Sequence, residues 1–309
     1  MKIYESVKEL IGNTPVLELK NFSKALNLKG KIYAKLEFFN PTGSVKDRAV
    51  LGMIEKALTD GQITEGATVI EPTSGNTGIG IASLSASLNF KAVLVMPDTM
   101  SKERIAMLKA YGAAVVLTDG ALGMQGAIDE ARRLQSITPN SFIPNQFDNP
   151  ANADAHYKST GKEIWEDTDG NIDYFVAGIG SAGTLVGTSK YLKEKNPKIK
   201  TVGVEPLSSP LITKGISGAH KIQGIGANFI PKNYDKNIVD QVLTASDADS
   251  VKYARLVAKT EGIFVGISSG AALSVATLLA KDEQNANKNI VVIFPDSGDR
   301  YLSTELIEI

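Results

Sequence analysis

Short apolar runs alternate with longer amphipathic stretches along most of the chain. Ala67–Glu71, Lys91–Met96 and Ala113–Leu117 each read as a strand. The helical patterns between and after them cover Gly75–Leu88, Lys102–Ala110 and Gly123–Gln135. These strands are apolar throughout instead of alternating, the pattern of strands buried on both faces of a parallel sheet. The rhythm restarts at Tyr174–Gly178 and runs through Thr184–Glu194, Thr201–Val204, Asp249–Thr260 and Ile290–Phe294. Two βα blocks joined near 143–150 predict an α/β protein of two doubly wound, mostly parallel-sheet domains. Ligands of such sheets sit at the carboxyl ends of strands, so the loops after the strands are where chemistry is sought.

Composition narrows the chemistry. A net charge of −1 gives no electrostatic case for nucleic acid or an anionic membrane surface as partner. The 309 residues include no cysteine and two histidines, which excludes a disulfide scaffold, a cysteine nucleophile and a structural zinc cluster. No apolar run approaches the roughly 20 residues of a spanning helix, and Met1-Lys-Ile-Tyr-Glu5 is charged at once, so a cytoplasmic enzyme without a bound metal is expected.

Glycine and hydroxyl clusters stand where the fold expects ligands. Gly178-Ile-Gly180-Ser-Ala-Gly183 follows a strand and opens a helix, with Glu205 ending the next strand. That spacing is the dinucleotide fingerprint of an NAD-dependent oxidoreductase, but the backbone geometry suits any phosphate, and a bare tight turn has the same look. Pro72-Thr-Ser-Gly-Asn-Thr-Gly78 gathers three hydroxyls, an amide and two glycines at another helix start. It reads as a carboxylate grip or as an N-cap cluster. In Asn40-Pro-Thr-Gly-Ser-Val-Lys46-Asp-Arg48 the lysine falls in the first turn of a helix reaching about Ala57. A cation is disfavoured there, which lowers the amine's pKa toward a nucleophile or Schiff base; a solvated lysine paired with Asp47 is the bland reading. Gly266-Ile-Ser-Ser-Gly270 and Pro295-Asp-Ser-Gly-Asp299 read as caps, turns or site loops. His156 reads as a packed or capping histidine and Trp165 as core or interface filling.

Taken together, these motifs resemble the cysteine synthase (O-acetylserine sulfhydrylase) and cystathionine β-synthase family. The resemblance rests on Asn40–Arg48, Pro72–Gly78, Asn145–Asn152, Thr160–Asp167, Gly180–Thr184, His220–Ala227, Gly266–Gly270 and Pro295–Gly298, in that order. It implies the tryptophan synthase β-like architecture of fold type II, with pyridoxal 5′-phosphate as cofactor. Residues 35–145 would form a smaller, mobile domain and 146–309 a larger phosphate-binding one, with 1–34 packing on the latter.

The resemblance also implies roles. Lys46 would hold the cofactor covalently and act as general base. Asn76 would lie beside the cofactor's phenolic oxygen, Gly180, Ser181, Ala182, Gly183 and Thr184 would cup its phosphate, and Ser268 would face its ring nitrogen. Thr73, Ser74, Gly75, Thr77, Gln146 and Gly224 would meet the substrate. The implied reaction makes L-cysteine from O-acetyl-L-serine and sulfide through an aminoacrylate intermediate. A cystathionine β-synthase-like or cysteine β-lyase activity on serine or cysteine is the alternative. Implied partners are an amino-acid substrate, sulfide or a thiol, a second copy in a homodimer, and the C-terminal tail of a serine acetyltransferase. Two positions depart from the family's usual glycines. Ala182 would be strained at a positive φ, and Asn228 would narrow the acyl pocket or bind a second polar substrate.

Overall fold

A computed structural model describes residues 3–73 and 75–307. Among the described residues ten strands run in order: β1 (Val16–Glu18), β2 (Lys31–Leu36), β3 (Thr68–Pro72), β4 (Lys91–Pro97), β5 (Ala114–Thr118), β6 (Ser141–Phe142), β7 (Tyr174–Gly178), β8 (Lys200–Pro206), β9 (Gln241–Ala245) and β10 (Asn289–Phe294). The helices are α1 (Lys20–Ala25), α2 (Lys46–Thr59), α3 (Asn76–Ser87), α4 (Lys102–Ala110), α5 (Gly123–Ile137), α6 (Pro150–His156), α7 (Lys162–Asp167), α8 (Gly183–Lys195), α9 (Leu211–Lys214), α10 (Asp247–Glu261) and α11 (Ile267–Lys281). None of the described helices is long and apolar enough to cross a membrane.

The chain divides into two compact units. The first takes the residues up to Ile11 together with Lys46–Asn152. Its sheet has the order β5-β4-β3-β6, every pair parallel. Its core gathers Val50, Met53 and Ile54 of α2 with Val69, Ile81, Leu84, Leu94 and Met96. The second unit takes Gly12–Val45 and the chain from Ala153 on. Its sheet has the order β1-β2-β10-β7-β8-β9, parallel except for the edge pair β1–β2. Phe22, Ile32, Val202, Leu273 and Phe294 lie in one core of this unit, and Phe175, Leu185 and Ile293 in another.

Local chemistry sets the ends of the helices. Ser101 caps α4 by accepting the Arg104 N–H, and Ser246 caps α10 in the same way from Asp249. Gly262, at φ 72, ends α10 in the left-handed conformation that glycine adopts without strain. The apolar runs read as strands are β3, β4, β5, β7, β8 and β10. Strand β2 was not foreseen, because its sequence Lys-Ile-Tyr-Ala-Lys-Leu carries two charges. Lys35 is nevertheless fully buried. Its ammonium donates to Thr14 O at 2.7 Å and Asp167 Oδ2 at 2.9 Å, and pairs with Glu163 Oε2 at 2.9 Å. A buried charge is tolerated when it is paired and hydrogen-bonded this way.

Strand β2 also moves the domain boundary. The division expected at residue 35 falls after Val45, because β2 pairs in parallel with β10 and carries the following loop into the second unit. Residues before Ile11 group with the first unit, where Val7 and Ile11 pack on its core.

Candidate active site

In the second unit, β7 ends at Gly178 and the chain turns through Gly180-Ser-Ala-Gly183 into α8. Gly180 has no room for a side chain: a Cβ there would lie 2.4 Å from the Gly224 carbonyl oxygen. Gly224 and Gly226 have φ of 94° and 67°, and the Gly226 N–H donates to Ile179 O at 3.0 Å. A Cβ on Gly224 would lie 3.7 Å from Ser268 Oγ, in the first turn of α11. Gly180, Gly224 and Ser268 are therefore neighbours in space.

The start of α8 bears no side-chain cap. Its first N–H groups, which have no partner within a helix, remain available to an anion at the positive end of the dipole. Ser181 and Ala182 are buried beside them. Ala182 takes φ 63° and ψ −7°, so the strained conformation anticipated for a non-glycine residue is present. The Thr184 hydroxyl lies 3.1 Å from His156 Nε2, and His156 Nδ1 lies 2.8 Å from Thr160 Oγ1. In the tautomer protonated at Nε2, the imidazole donates to the Thr184 hydroxyl. The threonine proton is then left to donate to an oxyanion. A π-helical turn at Tyr157–Gly161 carries Thr160. A Cβ on Gly187 of α8 would lie 2.0 Å from Ala153 O, which shows how closely α8 approaches α6.

Glu205 does not serve a dinucleotide. Its carboxylate accepts from Ile212 N at 2.8 Å, from Thr213 N at 3.0 Å and from the Thr213 hydroxyl at 2.5 Å, capping α9. The ribose partner required by the NAD reading is thus committed within the protein.

The loop leading to Lys46 is held from several sides. Buried Glu37 accepts from the Thr14 hydroxyl at 2.7 Å and from Asn40 Nδ2 at 2.9 Å. Asn40 Oδ1 accepts from Gly12 N at 2.9 Å. Arg300 donates to Thr42 O, and Val45 N–H donates to Pro295 O at 2.8 Å. Lys46 then opens α2, half-buried, with Asp47 and Arg48 buried beside it.

In the first unit, β3 runs into the hydroxyl-rich loop and α3. Asn76 opens α3, and its cap residue Gly75 is extended and has no side-chain cap bond. Thr73 Oγ1 accepts from Gly75 N at 3.3 Å. Ser74 lies outside the described residues. The Thr77 hydroxyl donates to Gln146 Oε1 at 2.7 Å, with both residues buried, so two of the expected carboxylate residues are joined. Motif reading missed Glu71, just ahead of this loop. It is buried, and desolvation pushes its carboxyl up to about 7 against the backbone N–H groups of Asn145 and Gln146. A lone acidic residue at a strand end gave no sequence signal of this.

A family model described as "Pyridoxal-phosphate dependent enzyme" matches residues 7–296. The chain is 48% identical to "Cysteine synthase B" of Campylobacter jejuni, covering 99% of both chains. The crystal structure of a cysteine synthase (OASS) from Entamoeba histolytica superposes with a TM-score of 0.96 at 43% identity, covering 100% of this chain and 92% of that one. An O-acetylserine dependent cystathionine beta-synthase from Helicobacter pylori gives a TM-score of 0.90 at 41% identity, covering 100% of both chains.

Proposed function

Because the chain belongs to the family of pyridoxal-phosphate dependent enzymes, we infer that it makes L-cysteine from O-acetyl-L-serine and sulfide by replacing a group at Cβ. The observation that carries this reading is the uncapped start of α8 behind buried Ser181, with Glu205 committed elsewhere. That arrangement suits one terminal phosphate and leaves a dinucleotide without its ribose partner. Gly180, Ser181, Ala182, Gly183 and Thr184 would hold the cofactor phosphate. Ser268 would face the ring nitrogen and Asn76 the phenolic oxygen. Pyridoxal phosphate supplies the electron sink that makes a Cα proton acidic.

The chain's own residues do the rest. Lys46 Nζ, at the positive end of α2, would hold the cofactor and would serve as the base that takes the proton from Cα. Thr73, Ser74, Gly75, Thr77 and Gln146 grip the substrate carboxylate and so set Cα against that amine. Gly224 would also meet the substrate. Acetate leaves from Cβ, and sulfide forms the new bond at that carbon. A hydroxyl in place of an acid at Ser268 would leave the ring less charged, which would favour prompt loss of the β-substituent over side reactions.

The nucleophile is where a second reading enters. Asn228, at φ 59°, occupies a left-handed position that asparagine tolerates, and its Oδ1 accepts from the Ser209 hydroxyl at 2.8 Å. The side chain thus adds a polar group beside Gly226 and Phe229, where a thiol longer than sulfide, such as homocysteine, would find a partner. Holoenzyme is mixed with O-acetyl-L-serine and then with sulfide or L-homocysteine, in parallel with L-serine and L-cysteine as first substrates, and products are weighed by mass spectrometry. L-cysteine from the ester and sulfide is expected. Cystathionine from L-serine, with no reaction of the ester, overturns the reading in favour of the cystathionine β-synthase-like one.

The enzyme works as a cytoplasmic homodimer that a serine acetyltransferase C-terminal tail can occupy. Light scattering and a pull-down with such a tail peptide test these two associations, and a monomer or an unbound peptide removes the corresponding claim.

A further inference from the structure

We propose that Glu71 is a positioning residue for the substrate carboxylate, acting through the Asn145–Gln146 backbone. This rests on the functional reading above and goes beyond it. Glu71 is the penultimate residue of β3, immediately ahead of Pro72 and Thr73. It is 3% exposed, and its carboxylate accepts from Asn145 N at 3.2 Å and from Gln146 N. Asn145 has φ 52°, a turn that swings two successive N–H groups toward the same oxygens.

The side chain of Gln146 then reaches Thr77 in the first turn of α3. The two segments expected to grip the substrate carboxylate are consequently tied twice. One tie runs from the strand end to the Gln146 backbone through Glu71. The other runs from Thr77 to the Gln146 side chain. The rest of the Gln146 segment is locked internally: Asn152 Nδ2 donates to Gln146 O at 2.8 Å, and Asn149 Nδ2 to Pro144 O at 2.9 Å.

An ionised carboxyl buried among backbone donors costs stability that an apolar residue of the same size would not. What it provides here is a pair of charge-assisted bonds with fixed direction, which set the height of Gln146 against Thr77. Nothing in this arrangement involves the groups expected to hold the cofactor phosphate. Its loss should therefore weaken substrate capture and spare cofactor retention.

The test compares wild type, Glu71→Gln, Gln146→Ala and the double variant as holoenzymes, after wild type has been shown to make cysteine from O-acetyl-L-serine and sulfide. Failure of that first step would sink the functional reading and not this one. Glutamine keeps the volume but loses the charge and puts an NH2 donor in place of one acceptor oxygen, so E71Q should raise KM for O-acetyl-L-serine about tenfold, with kcat within about twofold. Cofactor content should match wild type. In the Q146A background the same change should add little, because its route runs through Gln146.

Binding of L-alanine, which has the amine and carboxylate but no leaving group, should weaken in parallel, read from the cofactor's absorption. An unchanged KM in E71Q, an equal increment in both backgrounds, or a fall in kcat with unchanged KM would overturn the proposal. If E71Q does not accumulate folded, Glu71→Asp carries the test, since a shorter carboxylate keeps the charge and loses the reach. The same KM rise supports the proposal, and wild-type KM refutes it.

Discussion

Two strand-to-helix turns carry most of the proposed site residues, and they are built to opposite specifications. The turn after β7 is crowded, with Gly180 pressed on the Gly224 carbonyl and Ala182 held left-handed. The turn after β3 is open at Gly75. A Cβ on Gly75 would meet nothing within 4 Å, and what order the loop has comes from side-chain bonds such as Thr77 to Gln146. A resident group that stays bound through turnover is served by a preformed cradle. A substrate that enters and leaves each cycle is served by a loop with room to adjust.

The sharpest way to break this contrast is a methyl group at each turn. Gly180→Ala drives a Cβ into backbone and should cost about 3 kcal/mol of stability, with loss of cofactor, read by thermal melting and cofactor absorbance. Wild-type melting and cofactor content would mean the cradle is as open as the other turn.

Acid and base should separate the turns next. Folded Glu71 has a carboxyl raised to about 7, so the native state binds its proton more tightly than the unfolded chain does. Its contribution to stability is greatest below the unfolded value. It falls as pH rises toward 7 and levels off above. The span is roughly 3 kcal/mol, and E71Q should flatten that part of the denaturant-midpoint profile.

Removing single hydroxyls gives smaller, crossed effects. Thr184→Val should weaken cofactor retention about tenfold while leaving KM of the loaded fraction alone. Thr77→Val should raise KM for O-acetyl-L-serine about tenfold while leaving cofactor content alone. Titration of the apoenzyme and steady-state kinetics read both, and an exchange of phenotypes would invert the assignment of the two loops.

Ala182→Gly should change stability by less than about 1 kcal/mol, since relief of left-handed strain is offset by a freer unfolded chain and by the loss of a methyl buried in the core. Smallest of all, Gly75→Ala should leave the denaturant midpoint within about 0.5 kcal/mol of wild type. A large loss at Gly75 would show that the open loop is not open.

The sequence displayed the parts of this design that recur locally. Apolar runs marked the central strands, and glycine with hydroxyls marked both turns, because strand burial and helix starts leave signatures within a few residues. What it concealed depends on partners far along the chain. Lys35 made β2 look like surface until Glu163 and Asp167 came to meet it. Glu205 looked like a ribose ligand until Ile212 and Thr213 supplied their N–H groups. Glu71 carried no motif at all, since its meaning lies in two backbone amides more than seventy residues away. For Ala182 the sequence left helical and left-handed backbone both open; it is left-handed, with its methyl buried in the core.

The pairing of β2 with β10 sets a timetable for synthesis. The second unit's sheet seats Lys31–Leu36 directly against Asn289–Phe294, so a strand made near the start must wait for one made near the end. At ordinary translation rates the intervening stretch of about 250 residues takes roughly ten to fifty seconds to emerge. Once Phe142 has been made the first unit has all the strands of its sheet, while Ile32 and Ala34 still have no neighbouring β10 to cover them. A nascent chain stalled before β10 would therefore present an unpaired strand edge, the state in which this protein most needs a chaperone.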